Sequence, residues 1–326
     1  MGKSDSTPLV SVVVPNYNYA RYLEQRITSI LNQTFTNFEL ILLDDASTDN
    51  SSEVLERYRK NILVTHIEYN EKNTGSPFQQ WMKGIRLAKG KYVWIAEADD
   101  CAEPDFLETC VRYAEKEKDT AICYVGSYLF DAEGNVSRKD VNHWGSRSKK
   151  GIASFSGVDY VVHNLYWKNY IINASAVLFR REYALNLMDS PFVQMRYCGD
   201  WLFWFELSMQ GKVVEVYRIL NYFRQHTAKA TVASRRLGEG VKEDAQILSI
   251  MESKLSSLPI YKKRLRRGLL YRKLKRMALD TNVEQEILEY IEEILQCTIA
   301  DFYLERRNQI LRLFCPWLLT AKRDRL

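Results

Sequence analysis

The feature that most constrains the fold is a regular alternation of apolar runs and helical patterns along the first 125 residues. The runs are continuous, as in strands buried on both faces, and the segments between them carry apolar residues at the helical period. The runs are Leu9–Val14, Phe38–Leu43, Ile62–Ile67, Tyr92–Ala96 and Ala121–Val125, and the helical patterns are Tyr19–Leu31, Ser51–Tyr58, Phe78–Ala88 and Asp105–Glu117. Strand, helix, strand in this order predicts a parallel sheet with helices on both faces.

The rest of the chain carries weaker patterns. Residues 132–170 are rich in Gly, Ser, Asn and aromatic residues, which predicts loops and a lid-like segment. Further strands and an aromatic-rich helix are predicted at Ala174–Phe179, Val213–Tyr217, Leu220–Phe223 and Asp200–Gln210. From residue 236 onward the pattern is helical. We therefore predict an α/β domain over residues 1–235, with halves at 1–130 and 131–235, and a helical C-terminal region over residues 236–326.

Composition excludes several classes of protein. The first residues, MGKSDSTP, lack the apolar core of a secretory signal, and no apolar run approaches the roughly 20 residues that cross a bilayer. We expect a cytoplasmic protein, with a peripheral position on the inner face of the cell membrane as an extension of that expectation. The six cysteines form no CxxC pair, which argues against a zinc site and against a disulfide framework.

Positive charge is concentrated near the C-terminus. Residues 262–276, KKRLRRGLLYRKLKR, hold nine Lys and Arg and no acid, whereas the whole chain has a net charge of only +5. Apolar residues near one helical face suit an anionic membrane surface: Leu265, Leu269, Leu274 and Met277. A nucleic acid partner is not expected, because no matching fold signal accompanies the charge. The remaining alternative is a solvated helix that pairs with the acids of Glu284–Glu293.

Polar clusters stand where three predicted strands end. They are Pro15–Asn18, Asp44–Asp45 and Glu97–Asp100, and the last places three carboxylates within four residues, directly after an apolar run. In parallel sheets, ligands bind outside the carboxyl ends of the strands, so these clusters predict one binding site at that edge.

These residues carry a resemblance. VSVVVPNYN, LLDDASTDNS, NTG and WIAEADD, in this order, resemble the motifs of the family 2 glycosyltransferases, which are nucleotide-sugar enzymes of the GT-A fold. The similarity is strong over residues 9–110, weaker over 173–226 and absent after about 236. It implies a Rossmann-like, mainly parallel central sheet, with a nucleotide-sugar half followed by an acceptor half. It also implies transfer of a sugar, with inversion, from a UDP-sugar to a saccharide or lipid-linked saccharide acceptor in surface polysaccharide synthesis.

The resemblance assigns roles to residues of the first half. Asp99 matches the metal-contacting acid of the family's DxD motif, and Glu97 stands where the first Asp of that motif is usual, near the ribose or the metal. Asp45 matches the acid that hydrogen-bonds the nucleotide base, while Asp44 can instead hydrogen-bond the following loop. The other matched nucleotide-binding positions are Pro15, Asn16, Tyr17, Gly75 and Ala98.

Elementary electrostatics agrees with this assignment. Carboxylates beside a diphosphate repel it unless a divalent cation lies between them. A hard cation with oxygen ligands, Mn²⁺ or Mg²⁺, satisfies both partners and stabilises the leaving diphosphate as a Lewis acid. The WIAEADD stretch therefore predicts a metal at Asp99 and Glu97.

The second half must supply a base that takes the proton of the acceptor hydroxyl. Asp200, in YCGDWLFWFEL, resembles the second acid of the family's (E/D)D motif, with Gly199 in place of the first. Arg224 and His226, in YFRQH, match a segment that approaches the diphosphate or the metal. The helix GSPFQQWMKG departs from the family's Ala-Arg-Asn, and Lys83 is the candidate for its positive charge.

Structural alternatives accompany each assignment. Asp44, Asp45, Asp99 and Asp100 could be turn residues, and Asp200 could cap a helix. Trp201 and Trp204 are expected in the core, and Trp81 and Trp144 at the surface. A non-catalytic module that binds a sugar nucleotide and scaffolds an assembly is the alternative function. A dinucleotide-dependent oxidoreductase is rejected, because PNYN stands where GxGxxG would follow the first strand.

Overall fold

The computed structural model describes residues 7–140, 151–225 and 238–315. The chain divides into two compact units. The first comprises Met1–Val158, Tyr170–Arg196 and Glu206–His226, and the second comprises Asp159–Asn169, Tyr197–Phe205 and Thr227–Leu326. The predicted boundary at residue 235 therefore needs a correction, because two internal segments belong with the C-terminal helices. Their contacts explain this: buried Arg266 donates from Nε to the carbonyl oxygen of Tyr166 (2.9 Å), and its guanidinium lies over the ring of Trp201.

The first unit contains a mixed sheet. Its described strands are β1 (Val10–Asn16), β2 (Phe38–Asp44), β3 (Val64–Tyr69), β4 (Tyr92–Ile95), β5 (Cys101–Ala102), β6 (Thr120–Phe130), β7 (Val136–Asp140), β8 (Ile152–Phe155), β9 (Val177–Arg180) and β10 (Lys212–Arg224). The order is β3-β2-β1-β4-β9-β6-β10-β5, with β7 paired to β6 and β8 to β10. β1, β2, β3 and β4 pair parallel with one another and β6 pairs parallel with β10, whereas β9 runs antiparallel to its neighbours β4 and β6. The predicted α/β sheet is confirmed as mainly parallel.

Helices connect the parallel strands. They are α1 (Ala20–Leu31), α2 (Ser51–Glu56), α3 (Pro77–Leu87), α4 (Phe106–Lys116), α5 (Gly157–Tyr160), α6 (Arg181–Leu185) and α7 (Gly199–Ser208). Buried residues of α1 recur at helical spacing, namely Tyr22, Leu23, Ile27 and Ile30, and they face the sheet's apolar cluster. α3 approaches β1 closely at Gly84, where a Cβ atom would overlap the side chain of Val13.

Three local predictions differ from the structure. The two strands expected at Val213–Tyr217 and Leu220–Phe223 are one strand, β10, whose pairing with β6 absorbs register shifts. Residues 132–170 contain β7, β8, α5 and a π-helical turn in their described part, rather than loops throughout. Ala174–Ala176 forms a 3₁₀ turn because the side chain of Asn173 accepts a hydrogen bond from the backbone N–H of Ser175 (2.6 Å).

Between residues 238 and 315, the second unit contains four helices: α8 (Glu239–Lys254), α9 (Ile260–Lys275), α10 (Thr281–Leu295) and α11 (Ile299–Phe314). Six of the nine cations of residues 262–276 form ion pairs within it: Arg264–Asp301, Arg266–Asp244, Arg267–Glu252, Arg272–Glu305, Lys273–Asp244 and Lys275–Glu284. These partners differ from the predicted alternative of a solvated helix that pairs with Glu284–Glu293, because only the pair Lys275–Glu284 falls in that acidic range and Arg266 is buried. Across the described residues, no helix combines the length and the apolar character needed to span a membrane.

Candidate functional site

The polar clusters of the first unit meet at one edge of the sheet. β1 lies between β2 and β4, and all three run parallel. In the ladder Asn16 stands opposite Asp44 at the carboxyl ends of β1 and β2, and Ala96 follows β4 on the other side of β1. The sequence-based expectation that these strand ends share an edge is therefore met by the topology.

The loops after β1 and β2 are bonded to each other. Asn16 Nδ2 donates to Asp44 Oδ2 (2.7 Å), and the backbone N–H of Ser47 donates to Asp44 Oδ1 (2.8 Å). Asn18 Oδ1 accepts from the backbone N–H of Thr48 (2.7 Å). Asp44 thus has the loop-bonding role that was its alternative.

Asp45 organises the loop that contains the NTG motif. Its carboxylate accepts from Asn70 Nδ2 (2.7 Å), from the backbone N–H and the hydroxyl of Thr74, and from Gln80 Nε2 (2.8 Å). Both of its oxygens are therefore satisfied by protein donors. Contact between Asp45 and a nucleotide base stays a prediction, and a base would have to share or replace one of these donors.

Two buried acceptors at this edge lack a donor. Gln80 Oε1 and Asn16 Oδ1 have no hydrogen-bond partner within the described part of the chain. Buried amide oxygens are rarely left unpaired, and each needs an explanation. Each lies beside one of the strand-end acids, because Gln80 Nε2 donates to Asp45 and Asn16 Nδ2 donates to Asp44. The sequence marked Gln80 only as a departure from the family motif.

The other predicted nucleotide-binding residues of these loops differ in their contacts and exposure. Lys83 Nζ donates to Asn70 Oδ1 (2.8 Å) and lies 3.8 Å from Glu68 Oε2, so a carboxylate and an amide already surround the charge assigned to a diphosphate. Gly75 has φ +74°, a left-handed conformation that favours glycine. Pro15 is buried at the end of β1, whereas Tyr17 is 45% exposed and its ring is accessible.

The acidic cluster, which we define as Glu97, Asp99 and Asp100, follows β4. Asp100 is buried and accepts from the backbone N–H of Arg224 and from Asn173 Nδ2, both at 2.9 Å. Glu97 Oε1 accepts from Trp81 Nε1 (2.9 Å). Asp100 therefore supports the turn, and Glu97 and Asp99 are the partly exposed members. Ala98, between them, is buried in the apolar core.

The charges of the cluster repel one another. Burial, followed by the charges of Asp99 and Asp100, raises the pKa of Glu97 to about 8. Burial and Asp99 raise the pKa of Asp100 to about 6. The cluster therefore holds more negative charge than its surroundings compensate.

Two arginines near the acidic cluster were not recognised as its partners in the sequence. Arg26 of α1 is fully buried, its guanidinium lies 4.7 Å from the ring centre of Trp94, and none of its side-chain nitrogens has a hydrogen-bond partner among the described residues. Burial lowers the pKa of Arg26, while the charges of Asp100, Glu97 and Asp99 oppose that effect. Arg26 therefore contributes positive charge near the acidic cluster without donating a hydrogen bond to any described residue.

Arg224 has a different environment from the one predicted. Its guanidinium donates to the carbonyl oxygens of Asp99 (2.7 Å), Asp131 (2.9 Å) and Ala132 (3.0 Å) and to Gln25 Oε1 (2.6 Å). These bonds tie Arg224 to the backbone of the acidic cluster, and its contact with a diphosphate or metal stays a prediction. A lone Arg in a motif does not reveal whether backbone carbonyls will surround it.

The predictions for the aromatic residues are partly confirmed and partly wrong. Trp81 is only 3% exposed and bonds to Glu97, so the expected surface platform is wrong; its helix α3 faces the sheet. Tyr19, which the sequence analysis overlooked, is close enough to the acidic cluster that burial and the charge of Asp99 raise the pKa of its phenol. Trp201 and Trp204 are buried, as predicted. Trp144 and His226 lie outside the described residues.

The acidic cluster fits a divalent cation in part. Within the described ranges, no group of three or more His, Cys, Asp or Glu side chains forms a metal cage. Mg²⁺-type sites, however, commonly use one or two carboxylates and complete their coordination with substrate phosphates and water. The partly exposed oxygens of Asp99 and Glu97, together with the uncompensated charge, match that donor set.

Asp200 lies in the second unit, in the first turn of α7. Asn169 Nδ2 donates to its Oδ2 (2.9 Å). Burial raises the pKa of Asp200 to about 7, and the charge of Glu243 adds to that effect. A carboxylate with a pKa near neutrality can accept a proton and still be ionised at the pH of the cell.

Glu243 of α8 was not recognised from the sequence. Its Oε2 accepts from the backbone N–H groups of Tyr197 (2.9 Å) and Cys198 (2.7 Å), directly before Asp200. The helical region therefore contributes to the loop that carries the candidate base. A sequence signal for this contact is lacking, because it joins residues more than 40 positions apart.

Parts of this chain are similar in sequence to known proteins. Glycosyltransferase GlyG of Streptococcus pneumoniae serotype 4 is 38% identical over 128 residues, which are 39% of this chain and 42% of that protein. Chondroitin synthase of Escherichia coli is 34% identical over 148 residues, which are 45% of this chain and 21% of that protein. The chain thus spans less than half of the length of either relative.

Solved structures share the fold. TarS 1–349 of S. aureus in complex with UDP-GlcNAc has a TM-score of 0.54 at 16% identity, covering 94% of this chain and 76% of that chain. Mannosyltransferase PcManGT of Pyrobaculum calidifontis in complex with GDP-Man and Mn²⁺ has a TM-score of 0.55 at 17% identity, covering 96% and 83%. The family model described as glycosyl transferase family 2 matches residues 11–187, more than half of the chain. With its GT-A fold and this match, the chain belongs to glycosyl transferase family 2.

Proposed function

We propose that this chain is an inverting, metal-dependent glycosyltransferase that moves a sugar from a UDP-sugar to a saccharide or lipid-linked saccharide acceptor. The observation that carries the proposal is the shared edge of β2, β1 and β4, where Asp45, Asn16 and the acidic cluster follow neighbouring parallel strands. Family membership supports the class of reaction. The relatives named as a glycosyltransferase and a chondroitin synthase support a role in polysaccharide synthesis.

The nucleotide is bound by the loops after β1 and β2 in this proposal. Tyr17 is exposed and can stack on a base, while the buried oxygens Gln80 Oε1 and Asn16 Oδ1 could accept its N–H groups only after the surrounding loops shift. Uracil has one such N–H between two carbonyl groups, and those carbonyl groups would share or take over the donors of Thr74 and Asn70 that now serve Asp45. This alternation of donors and acceptors is the physical basis for preferring a UDP-sugar.

Asp99 and Glu97 would hold Mn²⁺ or Mg²⁺. When bound, the cation neutralises the diphosphate and makes it a better leaving group. Asp100 and Arg224 hold the backbone of the acidic cluster in place through their mutual hydrogen bond. The partly exposed carboxylates can then meet the ligand without reorganisation.

Asp200 acts as the general base. Its carboxylate takes the proton from an acceptor hydroxyl, the hydroxyl oxygen forms a bond to the anomeric carbon, and the bond from that carbon to the diphosphate oxygen breaks. The anomeric configuration inverts because attack and departure occur on opposite faces. Asn169 holds the carboxylate during this step through its 2.9 Å hydrogen bond.

The deciding experiment measures UDP release from UDP-sugars with Mn²⁺ and an oligosaccharide mixture as acceptor. We expect Asp200→Asn to lower kcat by about 10²–10⁴-fold, the contribution usual for a general base, with little change in UDP affinity. Asp99→Asn should instead weaken Mn²⁺-dependent UDP binding measured by calorimetry. Exposed Asp189→Asn is the matched control and should leave both quantities unchanged.

Other outcomes would reject parts of the proposal. Full activity of Asp200→Asn would remove the base assignment. Metal-dependent UDP binding without transfer to any acceptor would favour the scaffold module. UDP binding that does not change when a chelator removes the metal would show that the nucleotide binds without it.

A further inference from the structure

The last described helix, α11, buries polar residues and exposes apolar ones, which is the reverse of an ordinary surface helix. Its buried residues are polar: Asp301, Glu305 and Asn308 are 2–3% exposed. Its exposed residues are largely apolar, with Ile299 53%, Tyr303 62%, Ile310 54%, Leu313 77% and Phe314 71% exposed. Exposed apolar patches of this kind mark interaction sites.

Ionic contacts fix this orientation. Asp301 Oδ1 accepts from Arg264 Nε (2.6 Å), and Glu305 Oε2 lies 3.2 Å from Arg272. α9 also approaches closely at Gly268, where a Cβ atom would overlap the carbonyl oxygen of Asp301. Rotating α11 to bury its apolar side would leave two arginines of α9 without these acids, so the apolar side stays outward.

The charged residues on the exposed side of α11 are cations. Arg306 and Arg307 are exposed between Tyr303 and Ile310, while both acids of the helix, Asp301 and Glu305, are buried. An apolar surface with basic residues and no acid is complementary to anionic lipid headgroups above an acyl layer.

We propose that this exposed side of α11 binds an anionic membrane surface, with the helix lying parallel to it. We name the surface the α11 face; it consists of Ile299, Tyr303, Arg306, Arg307, Ile310, Leu313 and Phe314. A second copy of the chain is a poorer partner, because a two-fold contact through this face brings like charges together. The face replaces residues 262–276 as the membrane surface, since most cations there already form ion pairs.

The test is co-sedimentation of the full-length chain with vesicles of phosphatidylcholine, with and without phosphatidylglycerol. Wild type should bind the anionic vesicles, and high salt should release it. The double variant Leu313→Ser/Phe314→Ser should lower the partition coefficient by at least about tenfold, because two apolar side chains no longer leave water. Arg306→Gln/Arg307→Gln should lower it by about 25-fold, at about fivefold for each cation.

Matched controls separate the face from general effects. Ile62→Ser removes an 84% exposed apolar residue of the first unit, and Lys60→Gln removes an exposed cation there; both should bind as wild type does. The triple variant Lys262→Gln/Lys263→Gln/Arg276→Gln should also bind normally. Circular dichroism checks that each variant is folded, and UDP release with a water-soluble acceptor should be unchanged in all of them.

Several results would overturn the inference. Wild type that ignores anionic vesicles would do so, as would α11-face variants that bind like wild type. A wild-type dimer that Leu313→Ser/Phe314→Ser converts to a monomer would assign the face to a second copy. Loss of binding in the Lys262 triple variant alone would return the membrane surface to residues 262–276.

Discussion

Two groups of buried acids in this chain have opposite electrostatic characters. In the second unit, Asp244 pairs with Arg266 (2.6 Å) and Lys273 (3.1 Å); burial alone would raise its pKa, but these charges outweigh burial and lower it. In the first unit, the acidic cluster has Arg26 nearby without a hydrogen bond, and the pKa of Glu97 rises to about 8.

The difference teaches where to look for a ligand. A buried acid whose charge is matched by hydrogen-bonded cations belongs to the scaffold, and breaking the pair is costly. Acids that remain under-compensated have a pKa raised first by burial and then by one another's charges, and such groups concentrate at functional sites. The number of acids alone does not separate the two cases, because both regions are rich in them.

The largest expected effect comes from breaking the matched pair. Asp244→Asn leaves the buried guanidinium of Arg266 without its counter-charge, and we expect the free energy of unfolding to fall by about 3–5 kcal/mol. Thermal denaturation followed by circular dichroism measures it. Glu286→Gln, which breaks the exposed ion pair with Lys242, is the control and should change stability by at most about 1 kcal/mol. Equal effects of the two variants would contradict the comparison.

Removing the cation of the under-compensated group should have a smaller effect. Arg26→Met preserves most of the buried volume and removes a guanidinium whose pKa is lowered because burial outweighs the attraction of the acidic cluster, so we expect the melting temperature to rise by about 2–4 °C. Exposed Arg21→Met on the same helix serves as the control. Since Arg26 and Glu97 attract each other, combining Arg26→Met with Glu97→Gln should stabilise by more than the sum of the two single effects; strict additivity would argue against the coupling.

Relieving the repulsion should stabilise the fold at the expense of function. An acid whose pKa is raised destabilises the folded state increasingly as pH rises from its ordinary value through the raised one, so its neutral amide removes that effect. We expect Glu97→Gln to raise the melting temperature by about 2–4 °C at pH 8 while weakening Mn²⁺-dependent UDP binding. Exposed Glu53→Gln should change neither. A Glu97→Gln protein that melts lower than wild type would show that the charge is matched after all.

The smallest effect concerns the base. Glu243→Gln keeps acceptors for the N–H groups of Tyr197 and Cys198 but removes a charge that helps to raise the pKa of Asp200. The base must be ionised, so the rate of transfer should rise with pH through about 7 in wild type. In the variant this acidic limb should move to lower pH by a fraction of a unit, because burial is the larger cause. A limb that stays in place, or moves upward, would exclude Glu243 as a contributor.

The sequence predicted the sheet edge well because local periodicity and strand-end polarity are both readable along the chain. Asp44, Asn16 and the acidic cluster are brought to that edge by parallel pairing alone. The bonds that define each role come from distant segments and were not predictable. Arg224 meets Asp131 and Gln25, which lie 93 and 199 positions away.

The burial of side chains was also not predictable from the sequence. The motif helix α3 places Trp81 against the sheet because Gly84 allows close approach to β1, and a tryptophan in a polar sequence context gives no sign of that. The sequence showed that positive charge is concentrated in residues 262–276, but it did not show which acids pair with that charge. The acids lie elsewhere in the chain: Asp244, Glu252, Asp301 and Glu305. Charge matching in three dimensions cannot be read from a run of like charges.

The paired loops after β1 and β2 have a consequence for selectivity. Asn18 and Ala46 both adopt left-handed conformations, at φ 59° and 60°, and Asn18 is tied to Thr48 and Ser47. If a nucleotide binds at these loops, as proposed, the loop pair is already held in place and loses little conformational entropy on binding. It also has little freedom to reshape itself around a larger purine, so discrimination between bases should come from rigidity as much as from hydrogen bonds.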